Sequence, residues 1–261
     1  MKAVVFYEHG GPDKLIYQDR PDPPCGPDDA VVAVKAASVN HLDIWLLQGI
    51  PSYAIPLPHI LGCDVAGVVE KVGAHVSNLR PGDRVIASPG LSCGHCRFCD
   101  SGKDNLCPEY RLLGAHTDGG YAERVSIRAV FLLPIPSSMP FEQAAAFPLV
   151  FLTAYHMLFK KAGLRAGETV LVWGAGSGIG SAAIQIAKLA GARVIATAGT
   201  DAKLVKAKGL GADEVLNHAR ENVPERVMAA TGRIGADVVF DHIGRETWNQ
   251  SFQAAAKGGA K

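Results

Sequence analysis

Along the first half of the chain, apolar residues come in short β-rich runs: AVVFY at 3–7, AVVAVKAA at 30–37, DVAGVVEKVG at 64–73 and DRVIA at 83–87, separated by Gly and Pro. Runs of that length and spacing predict a small barrel-like β domain over residues 1–130. Pro134, Pro136 and Pro140 then break regular structure and mark a connector. Beyond it the rhythm turns helical in FEQAAAF and LTAYHMLFKKAG, the second closing at Gly163 as a C-cap. From Glu168 strands and helices alternate: TVLVWGA, SAAIQIAKLAGA, RVIATAG, DAKLVKAKGLGA, DEVLN, a helix near 221–231, and ADVVFDHIG. Apolar strands alternating with helices predict a parallel sheet covered on both faces, hence a two-domain α/β chain whose second domain is 131–261. Strands of that sheet are legible at 170–175, 193–198, 214–217 and 237–241. The text closes at FQAAAKGGAK, so the strand at 237–241 is expected to keep an unpaired edge and the domain to be truncated at its C-terminus.

Composition narrows the function classes. The formal net charge is +1 with acids and bases mixed throughout, which offers no basic stripe for nucleic acid and no polybasic run for a membrane surface. The N-terminal apolar run, Ala3 to Phe6, is too short for a signal peptide, and the longest uncharged stretch, Ala144 to Tyr155, contains Pro148 and falls well below a bilayer span. A cytoplasmic protein acting on a small molecule is expected. Four of the six cysteines, Cys93, Cys96, Cys99 and Cys107, fall in SCGHCRFCDSGKDNLC, a metal-site pattern and a poor disulfide framework.

A cofactor signal stands in TVLVWGAGSGIGSAAIQIAK. Gly174, Gly176, Gly178 and Gly180 follow an apolar strand and open a helix whose Ile179, Ala182, Ala183, Ile186 and Ala190 recur at helical spacing. Such glycines let the chain turn tightly and let backbone N–H groups approach a pyrophosphate at the positive end of the helix, with Ser177 inside the turn. Gly-rich turns also serve compact packing, but strand, turn and helix together favour a dinucleotide. The next strand ends in Thr197, Ala198 and Gly199, without the carboxylate that usually binds the ribose 2′-OH of NAD, and Lys203 lies within reach of a 2′-phosphate. NADPH is therefore expected over NADH. Asp201 is the competing feature, either as that carboxylate after a longer turn or as the N-cap of a helix beginning at Ala202.

The stretches VKAASVNHLDIWLLQG, LGCDVAGVVEKVG, RPGDRVIASPGLSCGHCRFCDSGKDNLC, GGYAERV and AAIQIAKLAGARVIATAGTDAKL resemble the zinc-containing alcohol dehydrogenase-like proteins of the medium-chain dehydrogenase/reductase superfamily, near their quinone oxidoreductase branch. The resemblance covers essentially the whole chain. It implies a GroES-like catalytic domain with a zinc lobe at 91–108, then a Rossmann domain, with substrate and nicotinamide in the cleft between them and a homodimer or homotetramer as the assembly. It also implies that Cys93, Cys96, Cys99 and Cys107 hold one structural Zn²⁺. Four thiolates at C-x₂-C-x₂-C-x₇-C would close a tetrahedral ion and leave no open position. A four-iron cluster uses the same ligand count, and the resemblance is what selects zinc.

At the family's catalytic zinc the sequence departs from the pattern. Asn40 and Leu149 fall where two cysteine ligands are expected, Leu42 at the proton-relay hydroxyl, Cys63 at the histidine ligand and Asp64 at the glutamate. Leucine cannot bind zinc and asparagine binds it poorly. An improvised site from Cys63, Asp64 and His41 or His59 is the alternative, and a small buried hydrophobe the simple reading of Cys63. Without that metal, reduction of a conjugated enone or quinone is easier than alcohol oxidation, because the charge develops on a carbonyl oxygen that hydrogen-bond donors can stabilise. Asn40 is the expected donor or positioning group, or else it ties down the NHLD turn. The resemblance places Thr153 near the nicotinamide and His41 near the pyrophosphate, with Tyr53 as an aromatic candidate for the pocket. The expected activity is thus NADPH-dependent reduction of a quinone or enone. A zinc alcohol dehydrogenase, or a nucleotide-binding protein without catalysis, are the alternatives.

Overall fold

A computed structural model describes residues 1–51 and 54–260 of the chain. Tyr53, expected near the pocket, lies outside the described residues. The chain divides into two compact units, Met1–Leu149 and Val150 onward.

The first unit contains β1 (Lys2–Val5), β2 (Ile16–Asp19), β3 (Asp29–Ser38), α1 (His41–Gln48), β4 (Asp64–Val72), β5 (Arg84–Ala87), β6 (Gly90–Leu91), α2 (Arg97–Asp100), β7 (Arg111–Leu112), β8 (Arg124–Arg128), β9 (Leu132–Pro134) and α3 (Phe141–Ala145). Its main sheet is antiparallel in the order β8-β3-β4-β5-β9, with β1-β2 and β6-β7 as two-stranded pairs. Ala30, Val32, Val65, Val69, Val85, Val125 and Ile127 bury one side of that sheet. The helix α1 occupies HLDIWLLQ, a stretch expected to be a turn at NHLD. Leu46 and Leu47 hold it by packing with Phe6, Ile55 and Leu61.

The second unit carries most of α4 (Pro148–Tyr155), which runs on into a wider π-type turn through Lys161, then β10 (Thr169–Val172), α5 (Gly178–Leu189), β11 (Arg193–Ala198), α6 (Asp201–Gly209), β12 (Glu214–Asn217), α7 (Val223–Ala230), β13 (Ala236–Phe240), α8 (Trp248–Ala254) and β14 (Ala255–Ala260). Every pairing in its sheet is parallel and the order is β12-β11-β10-β13-β14. That is the strand order of a doubly wound dinucleotide fold, with its switch point between β10 and β13. Alternate residues serve opposite faces, as the pleat requires. Val170, Val172, Val194, Ala196 and Phe240 pack with Ala183, Ile184 and Ala187 of α5, while Leu171, Trp173, Ile195, Leu216 and Val239 pack with Val223 and Val227 of α7.

Two expectations need correction. The edge of β13 is covered, because β14 pairs with it at Ala236↔Ala255 and Val238↔Ala260, so the sheet has five strands where four were expected. And α6 begins at Asp201 with Thr200 as N-cap, so Asp201 is a first-turn residue and not the cap.

Candidate functional site

At the carboxyl end of β10 the chain turns at Gly174, with φ of 62°, and enters α5. Ser177 is the N-cap: its Oγ accepts the Gly180 N–H at 3.0 Å and donates to the Gly174 carbonyl at 2.8 Å. Gly178 and Ile179 occupy the first two helical positions, whose N–H groups have no partner within a helix. Backbone packing explains Gly180. A Cβ there would stand 2.4 Å from the Gly174 carbonyl oxygen. Gly176 is open by comparison, since its neighbour is the aliphatic stem of Lys203. Lys203 therefore lies along the turn.

Two histidines that the sequence pattern had not singled out complete this end of the sheet. His218, just past β12, reaches Thr197 Oγ1 at 3.1 Å and faces Gly199, and burial followed by the nearby Lys203 charge lowers its pKa. His242, just past β13, contacts Ser177 Oγ at 3.0 Å through Nε2 and packs beside Gly174, while its buried Nδ1 has no protein partner. Burial lowers its pKa too. Asp201 turns away toward β12, where it accepts from Arg220 and from Asn217 Nδ2 at 3.2 Å. These features suit a dinucleotide: a capped helix start, a turn that excludes larger residues, and an unsatisfied buried nitrogen at the switch point. Thr153 sits half-buried in α4. His41 is the exposed first residue of α1, its ring centroid 4.7 Å from that of Trp45.

The four lobe cysteines come together between β6 and β7. Their sulfurs all lie within 4.8 Å of one another, with Cys93–Cys99 at 3.9 Å and Cys96–Cys99 at 3.5 Å. A tetrahedral zinc with Zn–S bonds near 2.3 Å would set sulfurs about 3.8 Å apart, so the donor set fits that ion. Burial opposes ionisation of the Cys99 thiol, but contacts from the Gly94 backbone, Ser92, Cys96 and Cys93 outweigh it and bring the pKa down to about 6. The group is suited to bind as a thiolate.

Around Asn40 the chemistry differs. Asp64 is buried, and it accepts from Ser38 Oγ at 2.8 Å, Asn40 Nδ2 at 2.8 Å and the Leu149 N–H at 2.9 Å. Burial, then the Asp64 and Asp43 charges, push the Cys63 thiol far above its ordinary value. A carboxylate already engaged by three donors makes a poor zinc ligand, and among the described residues neither Cys63 nor Asp64 belongs to any three-ligand cluster. His59 is buried elsewhere, against Phe6 and 3.7 Å from Asp118.

Removing the Asp64 acceptor strands three donors, so Asp64→Ala is expected to cost about 3 kcal/mol or more in a urea unfolding titration. A loss below 1 kcal/mol would refute this account of Asp64. Burial raises the Asp64 pKa more than its donors lower it. A carboxyl harder to ionise in the fold than in the unfolded chain costs stability as pH rises from about 4 to the folded pKa. Asp64→Asn should flatten that part of the stability profile.

Residues 26–137 match the family model "Alcohol dehydrogenase GroES-like domain" and residues 178–260 match "Zinc-binding dehydrogenase". The chain is 35% identical over its whole length to an alcohol dehydrogenase of Geobacillus stearothermophilus, covering 76% of that protein. It is 34% identical to a quinone oxidoreductase of Pongo abelii, over 99% of this chain and 71% of that one. A crystal structure titled as an NAD-dependent alcohol dehydrogenase superposes with a TM-score of 0.96 at 51% identity, over 99% of this chain and 76% of that one.

Proposed function

Because the chain belongs to the zinc-containing alcohol dehydrogenase-like medium-chain dehydrogenase/reductases, which are NAD(P)H-dependent oxidoreductases, we propose that it reduces quinones or conjugated enones with NADPH. The observation that carries this reading is the environment of Asn40. Where the family's catalytic zinc would need ligands, this chain has Asn40, a buried Cys63, an engaged Asp64 and Leu149. Oxidising an alcohol there would require another way to hold an alkoxide.

When bound, the nicotinamide supplies the hydride. The chain's own residues bind and orient. Gly174, Gly176, Ser177, Gly178, Ile179 and Gly180 receive the pyrophosphate at the start of α5, and Lys203 meets the 2′-phosphate. Asn40 Nδ2 donates to Asp64 at 2.8 Å and lies 3.5 Å from Ser38 Oγ, at the outer hydrogen-bond limit, and 3.5 Å from Cys63 Sγ, an ordinary distance to sulfur. The Asn40 amide is the group proposed to donate to the substrate carbonyl oxygen as charge develops on it, giving up its contact with Cys63 to do so. Thr153 and His41 are proposed nicotinamide-side and phosphate-side contacts, and the four lobe cysteines hold a structural zinc.

The test is NADPH oxidation with a simple quinone and with an enone, set against NADP⁺ reduction by short alcohols. Turnover with alcohols alone would overturn the reading. NADH as donor is the second reading, favoured by the NAD-dependent neighbour at 51% identity. If Lys203 meets a 2′-phosphate, Lys203→Glu weakens NADPH binding roughly tenfold or more and leaves NADH binding nearly unchanged, measured by fluorescence titration. Equal loss for both cofactors would assign Lys203 no part in the discrimination.

A further inference from the structure

The zinc lobe contains a second cluster of ligand atoms. Cys93, His95 and Glu109 each bring one donor atom within 4.8 Å of the other two, giving a sulfur, a nitrogen and a carboxylate oxygen. His95 and Glu109 are exposed and Cys93 is half-buried. Cys93 and Glu109 also line a cavity of about 290 Å³ with Asp29, Arg111 and Arg128. One cysteine, one histidine and one carboxylate are ordinary zinc donors, and three of them leave a fourth position for water. We propose that this chain binds a second, weaker divalent zinc ion at Cys93, His95 and Glu109, with the Cys93 thiolate shared between it and the four-thiolate site.

Charge explains why the two ions would occupy neighbouring sites. Four thiolates around one Zn²⁺ carry a net charge of −2, and a thiolate retains lone pairs with which to bridge a second cation. The second ion relieves that excess. Arg111 and Arg128 stand on the same cavity wall, Arg128 donating to the Ser92 and Cys93 carbonyls at 3.3 and 3.4 Å. Their positive charge opposes the incoming cation and sets the second site well below the first in affinity. Solvent access from the cavity and the exposed His95 makes the second site the exchangeable one. The proposal rests on a metal in the four-thiolate site and is independent of the substrate reading. It also changes what a zinc count means, because two zinc ions per chain would not by themselves signify a metal near Cys63.

Purified protein holding one zinc ion is titrated with Zn²⁺ against a chromophoric chelator of micromolar affinity. One further equivalent is expected. His95→Ala and Glu109→Gln should each weaken that equivalent by about tenfold or more, since even a partner outside the ligand set commonly costs that much. Both variants should keep the first equivalent and the thermal midpoint, and Cys63→Ala should keep both equivalents. Cobalt substitution gives a second readout: a new set of visible bands at the second equivalent, absent in His95→Ala. Absence of a second equivalent, or one that survives both His95→Ala and Glu109→Gln, overturns the proposal. Loss of the first equivalent in wild-type protein would instead overturn the four-thiolate reading beneath it.

Discussion

Cys107→Ser is expected to abolish tight zinc binding and to open the loop from Ser92 to Tyr110 to proteolysis. Cys107 is the one buried residue in that stretch, and its sulfur accepts the Cys93 N–H at 3.4 Å. The lobe has no apolar core of its own; its regular structure is the single turn α2, a short 3₁₀ turn and the two-residue strands at its ends. A zinc ion joining four thiolates would be its core. In isolated zinc domains such binding is worth about 10–16 kcal/mol at neutral pH, which sets a ceiling for the loss. The sheet β8-β3-β4-β5-β9 buries its own residues and should survive. Trypsin should therefore cut at Arg97 or Lys103 in the variant while the rest of the first unit resists. Retained zinc with unchanged resistance would refute the role given to these cysteines.

Gly180→Ala comes second in size. The new Cβ would meet the Gly174 carbonyl oxygen at 2.4 Å and its carbon at 2.9 Å, both backbone atoms in a turn fixed by Ser177. Forcing atoms into a packed site costs about 1–3 kcal/mol. Relief would come from moving α5 away from β10, which would spoil the amide geometry at Gly178 and Ile179. Loss of measurable NADPH binding, with a lower thermal midpoint, is the expected outcome. Gly176→Ala provides the control. Its Cβ meets only the flexible stem of Lys203, at 2.6 Å, so the side chain can swing aside and stability should hardly change. Equal damage from both substitutions would show that the turn is not organised around Gly180.

Local spacing made part of this protein legible. The cysteines of SCGHCRFCDSGKDNLC and the glycines after VLVW needed only a few residues of context, and each set lies together in the structure. β14 escaped because AAKGGA has no β-branched or aromatic residue; it is a strand through the backbone groups that β13 offers. α1 escaped because it draws its stability from Phe6, Ile55 and Leu61, which are distant in sequence. The same limit hid His218 and His242. Each gains its place from a parallel strand crossing dozens of residues away, and no motif encodes that juxtaposition. The arrangement of Asn40, Ser38 and Asp64 was half-visible: the residue types could be aligned on the family's ligands, but the hydrogen bonds that engage Asp64 could not be.

Trp173, sealed against solvent at the end of β10, gives the molecule a built-in optical probe. Trp45 and Trp248 are about half exposed, at 52% and 53%, so their emission should lie to the red of the buried indole. Trp173 directly precedes Gly174, and its ring centroid lies 6.0 Å from that of His218. A reduced nicotinamide absorbs where tryptophan emits, so a dinucleotide settling on the neighbouring turn should quench the blue component selectively and leave the red one nearly intact.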